Sequence, residues 1–329
     1  MTKPKGNTAE AWEVILKKIA NYIVAGALSI AIGTSAQAEN LGLGTMSQGT
    51  LSFTTGTVLA KVLNENTDLE ARVQPNSGES VLIPLINAGD LDFGIANVLE
   101  AQQASSGTGV FEGKKQDNLR IAAVLFPLRT AFFVHEDSDI KTLADLKGKR
   151  VTVGFSAMGT VDAIAKALLH AGGVEPADIK PVMVPNVVVG AEQFLNGRAD
   201  AFFFAVGAAK VAEVNAAQPV RVLAMPDDEA SIARLKSQFP DGYGVTVPPL
   251  PNFAGVSAPT TVLGYDNTLL TGTHVSDDAI KKVLDGIANN KDALASAFPL
   301  YRGLNPDKMY KENIATAFHK ATVAWAASR

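Results

Sequence analysis

Two hydroxyl residues, Ser156 and Thr160, enclose a turn of small residues between an apolar run at 150–155 and a helical pattern at 161–169. Apolar residues recur at helical spacing in the second segment, and Thr160 suits the helix N-cap. A strand that turns sharply into a helix exposes free backbone N–H groups and the positive end of the helix dipole. The turn is therefore predicted to bind a carboxylate or another anion, although an ordinary strand–helix turn has the same pattern.

The same arrangement occurs twice in the sequence, which favours a binding function. Gly49-Thr50 lies in a similar strand–loop–helix segment, and Gly159-Thr160 follows 110 residues later. Asp92 and Asp200 each lead a predicted strand and stand 108 residues apart. Two pairs at nearly one offset predict two lobes built on the same plan, each bringing a loop and a helix N-terminus to a shared cleft.

A lone arginine, Arg129, interrupts the long apolar and β-prone run at 119–134. A charge inside an apolar strand is costly unless it is paired. One interpretation is a clamp that binds a ligand carboxylate through the two-pronged guanidinium. The alternative is a structural ion pair with Glu79 or Asp92.

Polar or aromatic residues stand at three other predicted element ends. The segment at 76–80 opens a helix, with Ser77 as the expected cap and Glu79 in the first turn, where the helix dipole favours a carboxylate. Asn97 ends a buried strand, where it either contacts a ligand or caps the next helix. Phe204 is the last of three consecutive phenylalanines and is expected to approach the cleft, although such aromatics more often belong to the core.

Together these patterns predict one ligand site shared between two lobes. We expect no catalytic residue, no metal ligand and no cofactor in it. The candidate substrate-binding residues are Ser47, Thr50, Asn76, Ser77, Glu79, Asn97, Arg129, Ser156, Met158, Gly159, Thr160, Phe204 and Gly207.

Composition excludes several other functions. The chain of 329 residues has a net charge of -4 and no dense cluster of Lys and Arg, which argues against nucleic-acid binding. It contains no cysteine, so disulfides, thiol catalysis and cysteine zinc sites are absent. The segment at 42–47 lacks the third glycine of a dinucleotide fingerprint, and the four histidines have no metal-ligand spacing.

The N-terminus has the features of a secretory signal peptide. Lys17 and Lys18 precede an apolar run at 19–32, and Ala36-Gln37-Ala38 offers a cleavage site after Ala38. The alternative is a buried or membrane-anchoring helix, for which the apolar run is short. Residues 1–38 are thus predicted to be removed, leaving an exported, periplasmic protein.

The ordered set of motifs resembles the TAXI family, the solute receptors of tripartite ATP-independent periplasmic (TRAP) transporters. The resemblance extends over nearly all of the chain after residue 38. The segments that carry it are Gly49-Thr50, 77–81, 89–95, 145–151, Gly159-Thr160 and 197–203. Leu51 and Ser52 stand where family members commonly have two tyrosines, which favours a less polar carboxylate.

The resemblance implies an α/β, two-lobed periplasmic-binding-protein-like fold of type II, in which each lobe is a mostly parallel sheet flanked by helices. Lobe 1 would comprise 39–133 and 262–329, and lobe 2 would comprise 134–261, with a hinge where the chain crosses between them. The implied function is a monomeric, non-enzymatic receptor that closes on a small carboxylate, an organic acid or an amino acid, and delivers it to a TRAP membrane permease.

Two other functions remain open from the sequence. A receptor for another transporter type or for a sensor would have the same fold and cleft. A serine hydrolase is the less favoured alternative, because Gly154-Phe155-Ser156-Ala157-Met158 resembles the G-x-S-x-G nucleophile elbow but lacks its second glycine.

Overall fold

One continuous β-sheet of ten strands runs through the protein. The structure is a computed structural model that describes residues 39–329, so the predicted signal peptide lies outside the described residues. The strands are β1 (Glu39–Met46), β2 (Leu69–Asn76), β3 (Phe93–Asn97), β4 (Leu119–His135), β5 (Arg150–Val153), β6 (Lys180–Met183), β7 (Ala201–Ala205), β8 (Val220–Val222), β9 (Tyr243–Val247) and β10 (Thr260–Gly272).

The sheet contains the same three-stranded unit twice. In the first unit β1 lies between β2 and β3, and in the second β5 lies between β6 and β7, with every pairing parallel. The two units therefore have the same strand order, as the repeated sequence motifs predicted. Because parallel strands of one unit end at the same edge, each unit gathers its loops on one side.

The two longest strands, β4 and β10, join the units. They pair with each other antiparallel, β10 pairs with β3, and β4 pairs with β7. The remaining short strands extend this crossing, because β8 pairs with β4 and β9 with β10. A chain that passes twice between the units through extended strands gives a possible hinge two parallel connections.

Ten α-helices flank the sheet among residues 39–329. They are α1 (Leu51–Asn66), α2 (Glu79–Ala88), α3 (Val98–Ser106), α4 (Gly159–Ala171), α5 (Val187–Leu195), α6 (Ala209–Ala217), α7 (Glu229–Gln238), α8 (Asp277–Asn289), α9 (Lys291–Ala297) and α10 (Lys320–Ala327). Residues 39–329 pack as one compact unit, so the lobe boundaries expected near residues 134 and 262 stay a prediction.

Two helix caps predicted from the sequence were wrong. Met158 and not Thr160 precedes α4, and Gly78 and not Ser77 precedes α2; neither helix has a side-chain cap. The cap lies two residues before the expected position in α4 and one residue after it in α2.

The C-terminal region is mostly irregular. After residue 306 its α-helical part is confined to α10, which follows a short 3₁₀ turn at Pro306–Lys308 and irregular backbone. The intervening backbone instead bonds to β4, where the N–H groups of Ile121 and Val124 donate to Ala317 and Met309. Among residues 39–329 no helix is both long and apolar enough to cross a bilayer.

Candidate functional site

A small cavity lies where the repeated units face each other. Its volume is about 40 Å³, measured as the space open to the centre of a water molecule, which is room for about three waters. Sixteen residues line it, and nine of them are apolar: Met46, Thr50, Leu51, Ser52, Glu79, Asn97, Leu128, Thr130, Met158, Val161, Val187, Phe203, Phe204, Ala205, Tyr265 and Asn267. This is the mostly apolar, partly polar composition typical of ligand pockets.

Five helices begin at this cavity, and each contributes a lining residue at its first turn or its N-cap. These residues are Thr50, Glu79, Asn97, Met158 and Val187. Each helix N-terminus carries a partial positive charge of about half a unit. No Lys or Arg is among the sixteen lining residues, so the helix termini are the source of positive potential there.

Five of the predicted site residues line the cavity: Thr50, Glu79, Asn97, Met158 and Phe204. They come from both repeated units, so the structure brings the regions around residues 50 and 158 together as the repeat predicted. The Thr50 hydroxyl donates to the Ser47 carbonyl at 2.7 Å and accepts from the Phe53 N–H, which makes it the N-cap of α1. Asn97 caps α3, which confirms one of its two predicted roles, and it also lines the cavity, while its contact with a ligand stays a prediction.

Four other predicted residues surround the cavity without lining it. Ser47 donates its hydroxyl to the Asn76 carbonyl at 3.1 Å and thereby ties the end of β1 to the end of β2. Ser77 is exposed. Gly207 lies against the ring of Phe253. The ligand contacts of these four residues stay a prediction.

The exposed Ser156 does not form a nucleophile arrangement. Its backbone N–H donates to the Val184 carbonyl at 3.3 Å, and within residues 39–329 no hydrogen bond joins its hydroxyl to a histidine. The described part of the chain likewise contains no group of three or more His, Asp or Glu side chains arranged to hold a metal.

Arg129 lies outside the cavity. Its neighbours Leu128 and Thr130 line the cavity, and because side chains alternate along a strand, Arg129 points to the opposite face of β4. There its guanidinium lies 5.8 Å from the centre of the Phe253 ring. It pairs with neither Glu79 nor Asp92 in the described structure, and its role as a carboxylate clamp stays a prediction that this placement does not favour.

Two buried polar groups in the cavity wall were missed from the sequence. Thr130 Oγ1 and Asn267 Nδ2 form no hydrogen bond within 3.5 Å among residues 39–329, although these residues are only 3% and 1% exposed. The Tyr265 hydroxyl lies near Thr130, so Asn267 Nδ2 is the more isolated of the two groups. Buried polar groups are normally satisfied, so an unpaired donor that borders a cavity indicates a missing partner. The sequence signal for Thr130 and Asn267 was that each is a polar residue within one of the two longest β-prone runs.

A network of buried carboxyl groups forms one side of the cavity. Glu79 Oε2 accepts from the backbone N–H of Asn97 at 3.0 Å and from the side-chain amide of the same residue. Behind it lies Glu100, which accepts from the Ser80 hydroxyl at 2.6 Å. Burial raises the pKa of Glu79 well above its usual value, with a further rise from the neighbouring Glu100, and burial also raises the pKa of Glu100.

Direct contacts join the two units beside the cavity. The Thr160 hydroxyl, in the first turn of α4, donates to Gln103 Oε1 on α3 at 2.9 Å. The backbone N–H of Lys210 donates to the Gly49 carbonyl at 3.1 Å. Gly159 lies close to Val110. The units are therefore held in a closed arrangement in this structure.

Several solved structures have the same fold as this chain. An ancestral arginine-binding protein bound to arginine is 17% identical, with a TM-score of 0.50 over 81% of this chain and 100% of that one. The binding component of an ABC phosphonate transporter from Pseudomonas aeruginosa is 12% identical, with a TM-score of 0.52 over 81% and 80% of the two chains. A protein from Bordetella bronchiseptica RB50 is 12% identical, with a TM-score of 0.53 over 89% of each chain.

These likenesses bear on the fold, which is the two-lobed periplasmic-binding-protein fold predicted from the sequence. Residues 43–325 match the model of the NMT1-like family. The comparisons do not extend to the TAXI family, which the sequence motifs resemble, so that narrower assignment stays a proposal. Because the match extends over most of the sequence, the chain belongs to the NMT1-like family.

Proposed function

We propose that this protein is an extracytoplasmic solute receptor, which binds a small carboxylate-bearing molecule in the cavity between its two units and delivers it to a membrane transporter. The observation that carries the proposal is the buried Asn267 Nδ2, which has no partner among residues 39–329 and borders, together with the Thr130 hydroxyl, a cavity at the meeting point of five helix N-termini. A ligand would supply the hydrogen-bond partners that the protein lacks.

The chemistry of the cavity suits a small acid with an apolar body. The Asn267 amide and the Thr130 hydroxyl can each donate to a carboxylate oxygen, and the helix termini favour its negative charge without a Lys or Arg. Met158, Phe203 and Val187 offer apolar surface for the rest of the molecule. A volume of about 40 Å³ limits the ligand to a few non-hydrogen atoms unless the units move apart.

Two kinds of membrane partner are compatible with such a receptor. One structural relative is the binding component of an ABC phosphonate transporter, and this name favours an ABC-type permease. The TAXI-like motifs favour a TRAP permease instead. We give the ABC-type partner precedence, because the comparisons include a receptor of an ABC transporter and none of a TRAP transporter.

The test begins with the full-length protein, expressed with its N-terminal segment and purified after export. Native mass spectrometry should detect a co-purified small molecule, and a thermal-shift screen of small carboxylates should reveal stabilisation that follows RT ln(1 + [L]/Kd). The Thr130→Val variant should lose this stabilisation, whereas Thr246→Val, at an exposed position on β9, should retain it. No bound molecule and no shift with any carboxylate would rule the proposal out.

A further inference from the structure

Two buried carboxyl groups, Glu79 and Glu100, stand side by side at the cavity without a cationic partner. Glu79 is 2% exposed and Glu100 is fully buried. Within residues 39–329 neither forms an ion pair, and the groups that face them are the uncharged Asn97, Ser80 and Tyr265, with the Thr160 hydroxyl near Glu100. Two ionised carboxylates at such a position would repel each other strongly, because burial reduces the screening of charge.

The pair can avoid this repulsion in two ways. One is to hold a single shared proton, which fits the raised pKa of both groups. The other is to receive a cation from outside the protein. Glu79 lines the cavity and Glu100 lies behind it, so a cationic group of a ligand would meet Glu79 first.

The geometry of the strands places a donor beside this acceptor. Asn267 on β10 pairs directly with Asn97 on β3, and Asn97 holds the Glu79 carboxylate. Side chains of directly paired residues lie on the same face, with Cβ atoms about 5 Å apart. The unpartnered amide of Asn267 and the carboxyl group of Glu79 therefore form one polar corner, which offers a hydrogen-bond donor next to an acceptor of negative charge.

We propose that this corner selects a small apolar α-amino acid, whose carboxylate binds Asn267 and Thr130 and whose ammonium group binds Glu79. The inference rests on the proposed function and narrows its ligand class. An α-amino acid carries its carboxylate and ammonium groups on one carbon atom, so the two groups match a neighbouring donor and acceptor. The apolar wall around Met158 and Phe203 would take the side chain once the units have moved apart, because the space of about 40 Å³ in the closed arrangement holds only a few non-hydrogen atoms.

The proton and charge balance of binding includes the ligand carboxylate. In the empty site the two carboxyl groups share one proton and carry one negative charge. When the ammonium group binds, the shared proton leaves to solvent, so the two glutamates, the ammonium group and the ligand carboxylate together carry two negative charges. The additional negative charge is that of the ligand carboxylate, which faces Asn267, Thr130 and the helix N-termini.

The experiment compares matched ligands that differ in the amine alone. Isothermal titration of the full-length exported protein with alanine and propionate, and with valine and isovalerate, should give at least about tenfold tighter binding of the amine-bearing member of a pair. Titration in two buffers of different ionisation enthalpy should report release of about one proton per amino acid, and affinity should rise as the pH is raised, because binding releases a proton.

Variants separate the role of Glu79 from a general loss of structure. Glu79→Gln should abolish the preference for the amine, and Glu112→Gln, on an exposed loop, should keep it. Circular dichroism checks that both variants fold. If Glu79→Gln does not fold, the comparison of ligand pairs and the measurement of proton release still test the inference on the unmodified protein. Equal or tighter binding of the deaminated acids overturns the inference and leaves the proposed function intact, whereas no binding of either class overturns both.

Discussion

Gly78, at the start of α2, lies directly against the carbonyl oxygen of Ala157, just before α4. A Cβ atom added at residue 78 would overlap this oxygen and crowd the side chain of Met158. The backbone of Gly78 is extended, a conformation open to any residue, so the glycine is needed for space and not for its dihedral angles. The contact joins equivalent edges of the two repeated units and exists only when they are closed.

We predict that Gly78→Ala impairs closure. Overpacking of this kind typically costs about 1–3 kcal/mol, and here the cost falls on the closed form alone, so ligand affinity should fall by about tenfold or more. Small-angle scattering should report a larger radius of gyration in the presence of ligand than for the wild type. Gly303→Ala, at an exposed position where an added Cβ atom makes only ordinary contacts, is the control and should bind normally.

We predict that apolar replacements of Thr130 and Asn267 preserve or raise the stability of the ligand-free protein but abolish ligand binding. Thr130→Val and Asn267→Leu each remove a buried polar group that has no partner among the described residues, and leaving such a group unpaired costs about 1–3 kcal/mol. The free energy of unfolding of the ligand-free protein should therefore rise or stay constant, while ligand-induced stabilisation disappears. Chemical denaturation with and without ligand measures both; a loss of stability without ligand would contradict the assignment of these groups to a binding role.

We predict that Glu100→Gln changes how stability depends on pH. The pKa of Glu79 and of Glu100 is raised above 4.5 in the folded protein, so the folded state binds more protons than the unfolded one. This contribution to stability is fully present below about pH 4.5 and is lost as the pH rises through the folded-state pKa values. Urea unfolding across this range should show a smaller loss in Glu100→Gln, and an unchanged slope would contradict the buried pair; exposed Glu112→Gln is the control.

We predict that Arg129→Gln leaves ligand affinity within about twofold of the wild type. The guanidinium lies on the face of β4 away from the cavity, over the ring of Phe253. Phe204→Ala, which removes part of the cavity wall, should by contrast weaken binding by about tenfold. Titration with the best ligand of the screen tests this prediction. If Arg129 were instead a carboxylate clamp, the Arg129→Gln variant should lose about 2–5 kcal/mol of binding free energy.

Local patterns predicted the elements well wherever the pattern spans a whole element. The helical spacing at 161–169 predicted α4, and the strands predicted after Asp92 and Asp200 correspond to β3 and β7. The same patterns failed at single residues, as with the caps of α2 and α4. A cap is decided by one hydrogen bond, and the contact between Gly78 and Ala157 outweighs it.

The repeated motifs in the sequence determined that two equivalent units face each other, because two copies of one strand–helix plan end their strands and begin their helices at corresponding positions. Tertiary structure alone decided which side chains of the crossing strands β4 and β10 face the cavity. A shift of one residue moves a side chain to the other side of a sheet, so register sends Arg129 away from the cavity and Thr130 into it. Partners distant in sequence, such as Glu79 with Glu100 and Asn97 with Asn267, meet only after the sheet has formed, because their contact depends on strand pairing.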